Sequence, residues 1–172
     1  MWILYLLVIT IANVVTASFA PIQLGELLVP WGTVFIGATF ILRDLCQEIY
    51  GRKIIYKLIV VAMVLSSVVS YLLGDSLSVV FASCVSFLIS ETTDTEIYTR
   101  LKLPIHLRVM YSGLVGGLLD SIVFVILGLS PIGSNALPWI AIPNAIAGQV
   151  IVKSLMQLLG CFVIKNINIK IK

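Results

Sequence analysis

Charge is what this chain has least of. Only 11% of its 172 residues are charged, 11 basic and 8 acidic, while 60% are hydrophobic. A soluble domain carries roughly 25% charged and roughly 45–50% apolar residues. A water-soluble globule is therefore excluded, and an integral membrane protein is expected. Histidine is nearly absent: His106 stands alone, so no histidine cluster can hold a metal. There is no Gly-x-Ser-x-Gly elbow. The run Gly117-Leu118-Leu119-Asp120 is not the Gly-x-Gly-Asp of intramembrane aspartyl proteases, so no enzyme is expected. The three cysteines, Cys46, Cys84 and Cys161, have no metal-ligand spacing and read as small apolar filler. No basic residue precedes the first apolar run, so the positive n-region of a secretory signal is missing and the run reads as a retained span. No segment is long enough for a separate soluble domain. Residues 1–172 are expected to form one membrane domain.

What is present is a series of apolar runs. Six spans are expected, at about 2–19, 31–50, 54–73, 77–99, 109–129 and 139–164. Each reaches the roughly 20 residues that cross a bilayer as a helix. With no water to satisfy backbone groups, such spans must be helical. The fold class is all-α and polytopic. Lysine and arginine fall on one side of it. Arg52, Lys53 and Lys57 follow span two; Arg100, Lys102 and Arg108 follow span four; Lys165, Lys170 and Lys172 form the tail. The opposite loops, 20–30, 74–77 and 130–138, have none. The positive-inside rule then puts both termini in the cytoplasm. A faint repeat links Glu48-Ile49-Tyr50-Gly51-Arg52 with Glu96-Ile97-Tyr98-Thr99-Arg100. Its plain reading is an i, i+4 pair of Glu and Arg at each helix end.

Six charges remain at membrane depth: Arg43, Asp44, Glu91, Asp94, Asp120 and Lys153. Such a charge costs at least about 2–3 kcal/mol unless paired or solvated. One reading is helix glue, with Lys153 paired to Asp120 and Arg43 to an acid of span four. The other is a polar cavity. Ser83, Ser86, Ser90 and Asp94 form one helical stripe with Glu91 on its flank. Thr33, Gly37, Asp44 and Glu48 share a side of span two; Gln149, Lys153 and Gln157 share a side of span six, with Asn144 a turn earlier. Four helices thus offer polar faces. Carboxylates accept paired N–H donors, amides offer mixed pairs, and aromatics stack flat rings. The excess of acid favours a neutral or cationic solute, or proton coupling. Gly113 and Gly117 make a small-xxx-small patch for close helix packing, against a bundle neighbour or a second copy. The loop 130–138 faces outside and is a candidate gate.

Several short motifs, taken together, resemble one family. They are Asn13; Val29-Pro30-x-Gly32-Thr33; Phe40-Ile41-Leu42-x-Asp44 running into Tyr50-Gly51-Arg52-Lys53; Leu88-Ile89-Ser90 with Asp94; Leu119-Asp120-Ser121; and Gln149 with Lys153. The pattern is similar to the queuosine-precursor transporters, also called the vitamin-uptake-transporter family. The resemblance implies import of 7-cyano- or 7-aminomethyl-7-deazaguanine for tRNA modification, through the inner membrane of a prokaryote. It implies substrate-binding roles for Asn13, Asp44, Asp94, Asp120, Gln149 and Lys153, joined by Glu91 and Asn144 from their faces. The ligand is expected between spans two, four, five and six, near the cytoplasmic half. Two positions depart from the family pattern: Glu91 stands where longer members carry Gln, and Leu159-Gly160-Cys161 replaces an acidic-Thr-Pro turn. A substrate-binding subunit of an ATP-driven vitamin importer and a non-transporting membrane scaffold are the alternatives. No cofactor, metal or direct nucleic-acid contact enters this reading. The expected partners are a heterocyclic substrate, the lipid bilayer and a second copy of the chain.

Overall fold

A computed structural model describes residues 1–167. Six helices follow the apolar runs: α1 (Trp2–Ser18), α2 (Gly32–Tyr50), α3 (Arg52–Leu72), α4 (Leu77–Arg100), α5 (Ile105–Phe124) and α6 (Ile142–Ile167). The chain is an all-α membrane protein in its bulk. Four helical stretches are long and apolar enough to cross a bilayer: 52–72, 77–100, 105–129 and 139–166. The first helix is apolar but has 17 residues. The second has 19 and carries Arg43, Asp44 and Glu48.

The packing explains why α2 tolerates those charges. The helices close a ring in the order α1, α2, α6, α5, α4, α3, and α2 also leans inward to touch α3, α4 and α5. It is the helix that meets all five others, so it has little surface left for lipid. Ten of its residues are buried, Arg43 and Asp44 among them. Apolar clusters hold the ring: Tyr5, Ile9, Cys46, Ile55, Ile59, Ala62 and Phe87 join α1 to α4, while Leu45, Tyr98, Val109 and Ile164 join α2, α4, α5 and α6.

Three local features differ from the sequence expectation. The break at 20–30 contains a β-hairpin, β1 (Ile22–Leu24) paired antiparallel with β2 (Leu27–Val29). Its two-residue turn needs Gly25, whose φ is +62°; the strands are too short to show an alternating pattern. The hairpin rests on α6 at Gly148, where a Cβ would come within 2.9 Å of Val29 Cγ2. The fifth helix starts at Ile105, four residues early, because Pro104 supplies a preset φ at its N-cap. That brings His106 and Arg108 into the helix. It ends in a π-turn over Val125–Leu129.

The described basic residues at helix ends share one face of the bundle, and the loops 19–31, 73–76 and 130–138 form the other; Lys170 and Lys172 lie outside the described residues. Helices α2 and α3 are joined by Gly51 alone, at φ 80° and ψ 163°. That conformation is essentially restricted to glycine and costs other residues about 1–3 kcal/mol. Gly51→Ala is expected to lose that much stability when unfolding is followed in detergent micelles. Wild-type stability would show that the α2–α3 corner can be turned another way.

Candidate functional site

The innermost element is Arg43. Its side chain is fully buried, and so are those of Asp44 and Asp94; Glu91 is 1% exposed. Arg43 Nη2 lies 3.0 Å from Asp44 Oδ1 and Nε lies 3.1 Å from Glu91 Oε2. Nη2 also pairs with Asp94 Oδ2. Nη1 donates to Thr95 Oγ1 at 2.8 Å and to Gln47 Oε1 at 3.2 Å. Ser112 Oγ donates to Asp44 Oδ2 at 3.1 Å. One guanidinium thus ties α2 to α4, and Asp44 extends the tie to α5. The local cause is helical spacing. On α2, Arg43 and Gln47 are four apart; on α4, Glu91, Asp94 and Thr95 sit at i, i+3 and i+4, so each set shares one face. Gly116 makes room for it: a Cβ there would lie 3.0 Å from both Asp94 Cβ and Phe40 Cε1.

Beside this cluster lies a cavity of about 280 Å³. Glu91, Asp120, Lys153 and Gln149 line its depth, with Phe40, Phe87 and Phe124 as aromatic walls. Asn13, Ser83 and Ser86 line it further out, and Pro21, Pro30, Asp75, Ser134 and Ala136 belong to or adjoin the loops at its mouth. It therefore reaches toward the face without basic residues. Lys153 Nζ donates to Asp120 Oδ2 at 2.7 Å, to Ser121 Oγ at 2.8 Å and to Gln149 Oε1 at 3.4 Å. This second ion pair joins α5 to α6. Asn13 Nδ2 donates to Ser66 Oγ at 2.8 Å, tying α1 to α3.

The sequence-expected residues thus divide. Glu91, Asp120, Gln149, Lys153 and Asn13 share the cavity. Asp44 and Asp94 are not in its lining; they sit in the Arg43 cluster beneath it. Asn144 Nδ2 instead reaches Glu26 Oε2 at 3.3 Å and clips the hairpin turn to α6. Both pairs of the glue reading are present, Lys153–Asp120 and Arg43 with the α4 acids. The Glu96–Arg100 pair forms at 3.4 Å. Its counterpart Glu48–Arg52 does not. Arg52 pairs with Glu96 on α4, and Glu48 lies 3.2 Å from Arg108 on α5. Helix-end charges link neighbouring helices here, which spacing within one helix cannot reveal. Gly113 faces α6, where a Cβ would meet Gln157 Cγ at 3.1 Å, so this patch serves packing inside the chain. Sequence reasoning missed Thr95, Gln47, Ser112 and Gly116. Thr95 and Gln47 were reachable from the i+4 spacing to Glu91 and Arg43; Gly116 was hidden by the Gly113-xxx-Gly117 pattern beside it.

Such an arrangement defines a class: a multi-pass membrane protein with a polar, partly charged cavity among its helices. Residues 69–166 match the family model described as "Putative vitamin uptake transporter", and the chain belongs to that family. The match covers α4, α5 and α6, and with them Glu91, Asp94, Asp120, Gln149 and Lys153. No curated protein and no solved structure matches the chain.

Removing Arg43 leaves three buried carboxyl groups without their cation. Breaking such a group by deleting one partner costs about 3–5 kcal/mol. Arg43→Gln is expected to lose stability of that size in a micelle unfolding titration, and Asp94→Asn placed on top is expected to restore part of it. An Arg43→Gln protein as stable as wild type would show that the cluster does not hold α2 to α4.

Proposed function

We propose that the chain imports a queuosine precursor, 7-cyano-7-deazaguanine or 7-aminomethyl-7-deazaguanine, across the inner membrane of a prokaryote. The observation that carries this reading is the cavity of about 280 Å³, which ends in one carboxylate, one lysine–aspartate pair and one amide between aromatic walls. That size is at the small end of ligand pockets, about 300–1,000 Å³, and suits a bicyclic base. Adjacent N–H donors on the ring edge meet Glu91. Lys153 and Gln149 offer donors to the ring carbonyl or the cyano nitrogen. Phe40, Phe87 and Phe124 flank the flat ring. Asp44 and Asp94 support the site from below by fixing Arg43.

In this reading all six helices span the membrane, α1 and α2 included. The six spans run with both termini in the cytoplasm, because the basic helix ends Arg52, Lys53, Arg100, Arg108 and Lys165 mark that side. The cavity then opens outward, where a nutrient arrives. The protein moves its solute without chemical change.

The test is growth of bacteria that cannot make deazaguanines, have lost their own importer and contain no ATP-driven vitamin module. Supplied with this chain and nanomolar precursor, they are expected to regain queuosine in tRNA. Asp120→Asn leaves Lys153 without its ion partner. Truncating one member of a buried charge pair costs about 2 kcal/mol or more, so uptake is expected to fall at least about tenfold. No queuosine despite well-inserted protein would contradict the substrate. Restoration only when an ATP-driven module is added would favour the partner-dependent subunit.

A further inference from the structure

Glu91 belongs to two systems at once. Its Oε2 faces Arg43 Nε at 3.1 Å in the buried cluster, and its side chain lines the cavity. Asp44 and Asp94 share the cluster but do not line the cavity. The cluster holds three carboxyls and one guanidinium, formally two negative charges in excess, with every side chain 1% exposed or less. Like charges confined together in a dry site do not all ionise. The charged neighbours do not remove the excess. Asp120 on α5 and Lys153 on α6 neutralise each other at 2.7 Å. The charged residues of α3, Arg52, Lys53 and Lys57, sit in its first two turns, with Arg52 against Glu96. A further group is able to follow a proton on and off Glu91. The Tyr5 hydroxyl, from α1, is fully buried beside Glu91 and has no hydrogen-bond partner of good geometry among the described residues. A hydroxyl can donate to a carboxylate or accept from a carboxylic acid, so it serves Glu91 in either state.

We propose that Glu91 is a proton-binding site of the transport cycle: it carries a proton in the ligand-free protein and releases it when a ligand N–H donor binds, so that ligand and proton exchange at one carboxyl. The step balances without covalent chemistry at the ligand. The O–H bond of Glu91 breaks, the proton leaves through the cavity mouth to water, and the carboxylate accepts the ligand N–H. Arg43 stays charged throughout. Asp44 is held by Arg43 and Ser112, and Asp94 by Arg43; with no place in the cavity lining, neither has this route to water. The sign follows. A protonated Glu91 is a poorer acceptor, so ligand affinity is low at low pH and rises as pH rises through the titration of Glu91. Exchange of one proton corresponds to a tenfold change in affinity per pH unit. Only the identity of the displacing ligand rests on the import reading above.

Infrared spectra of the ligand-free protein in nanodiscs test the proton directly. At neutral pH a carboxylic-acid carbonyl band that shifts in D2O is expected, missing from Glu91→Gln and moved in Glu91→Asp. No such band, or one unchanged by both substitutions, overturns the proposal. Should Glu91→Gln fail to fold, the move in Glu91→Asp decides. The exchange is read with 7-cyano-7-deazaguanine, a neutral probe that does not itself carry a titrating amine. Its Kd is expected to fall about tenfold per pH unit below the pH at which the band disappears and to level off above it; a Kd independent of pH overturns the exchange. No binding at any pH contradicts the substrate reading alone, and the infrared result stands.

Discussion

A single guanidinium, buried among three carboxyl groups, is the constraint on which the rest of this structure depends. In a medium without water a charge must find its partners inside the protein. Arg43 finds them on its own helix and on α4, and Asp44 passes the tie to α5 through Ser112. This requires α2 to be surrounded by other helices rather than by lipid, and it is the helix that touches all five others. It also requires close approach, which Gly116 permits beside Asp94 and Phe40. The cavity is what remains beside the cluster, where α1, α2, α4, α5 and α6 leave space that the polar side chains keep from closing.

Two ion pairs divide the work. The Arg43 cluster is sealed, and its geometry is structural. Lys153–Asp120 is partly open: Lys153 is 3% exposed and Asp120 14%. Among the charged side chains of the described residues, Glu91 connects the sealed system to the open one. The buried ion cluster and the cavity are therefore adjacent layers of one core rather than competing descriptions.

Much of this was readable from spacing. The apolar runs located the helices, and Ser83 and Ser86 of the α4 stripe, with Glu91 on its flank, marked the wall of the cavity, whereas Ser90 and Asp94 of the same stripe do not line it. The Lys153–Asp120 pair was one of two readings of charge at that depth, helix glue beside a polar cavity, and the pair is present. What spacing could not reveal was which helices are neighbours. Asp44 shares a face with Thr33 and Gly37, yet a third helix covers it and it does not reach the cavity. Arg52 stands four residues from Glu48, yet Glu96 on α4 is its partner. Asn144 lies on the Gln149–Lys153 side of α6, but the hairpin turn brings Glu26 to it. That hairpin left no sequence signal because three-residue strands between prolines are too short for a period to show.

The central claim is that the cavity opens on the face without basic residues and is sealed at its base by Arg43 and its acids. Thiol labelling in intact cells tests it most directly, in a chain whose Cys46, Cys84 and Cys161 are replaced by alanine. Ser83→Cys on the cavity wall is expected to react with a membrane-impermeant reagent added outside, and 7-aminomethyl-7-deazaguanine is expected to slow the reaction. Thr95→Cys, beneath the seal, is expected to stay unreactive from that side. Labelling of Ser83→Cys only from the cytoplasm, or equal labelling of both positions, would contradict the account.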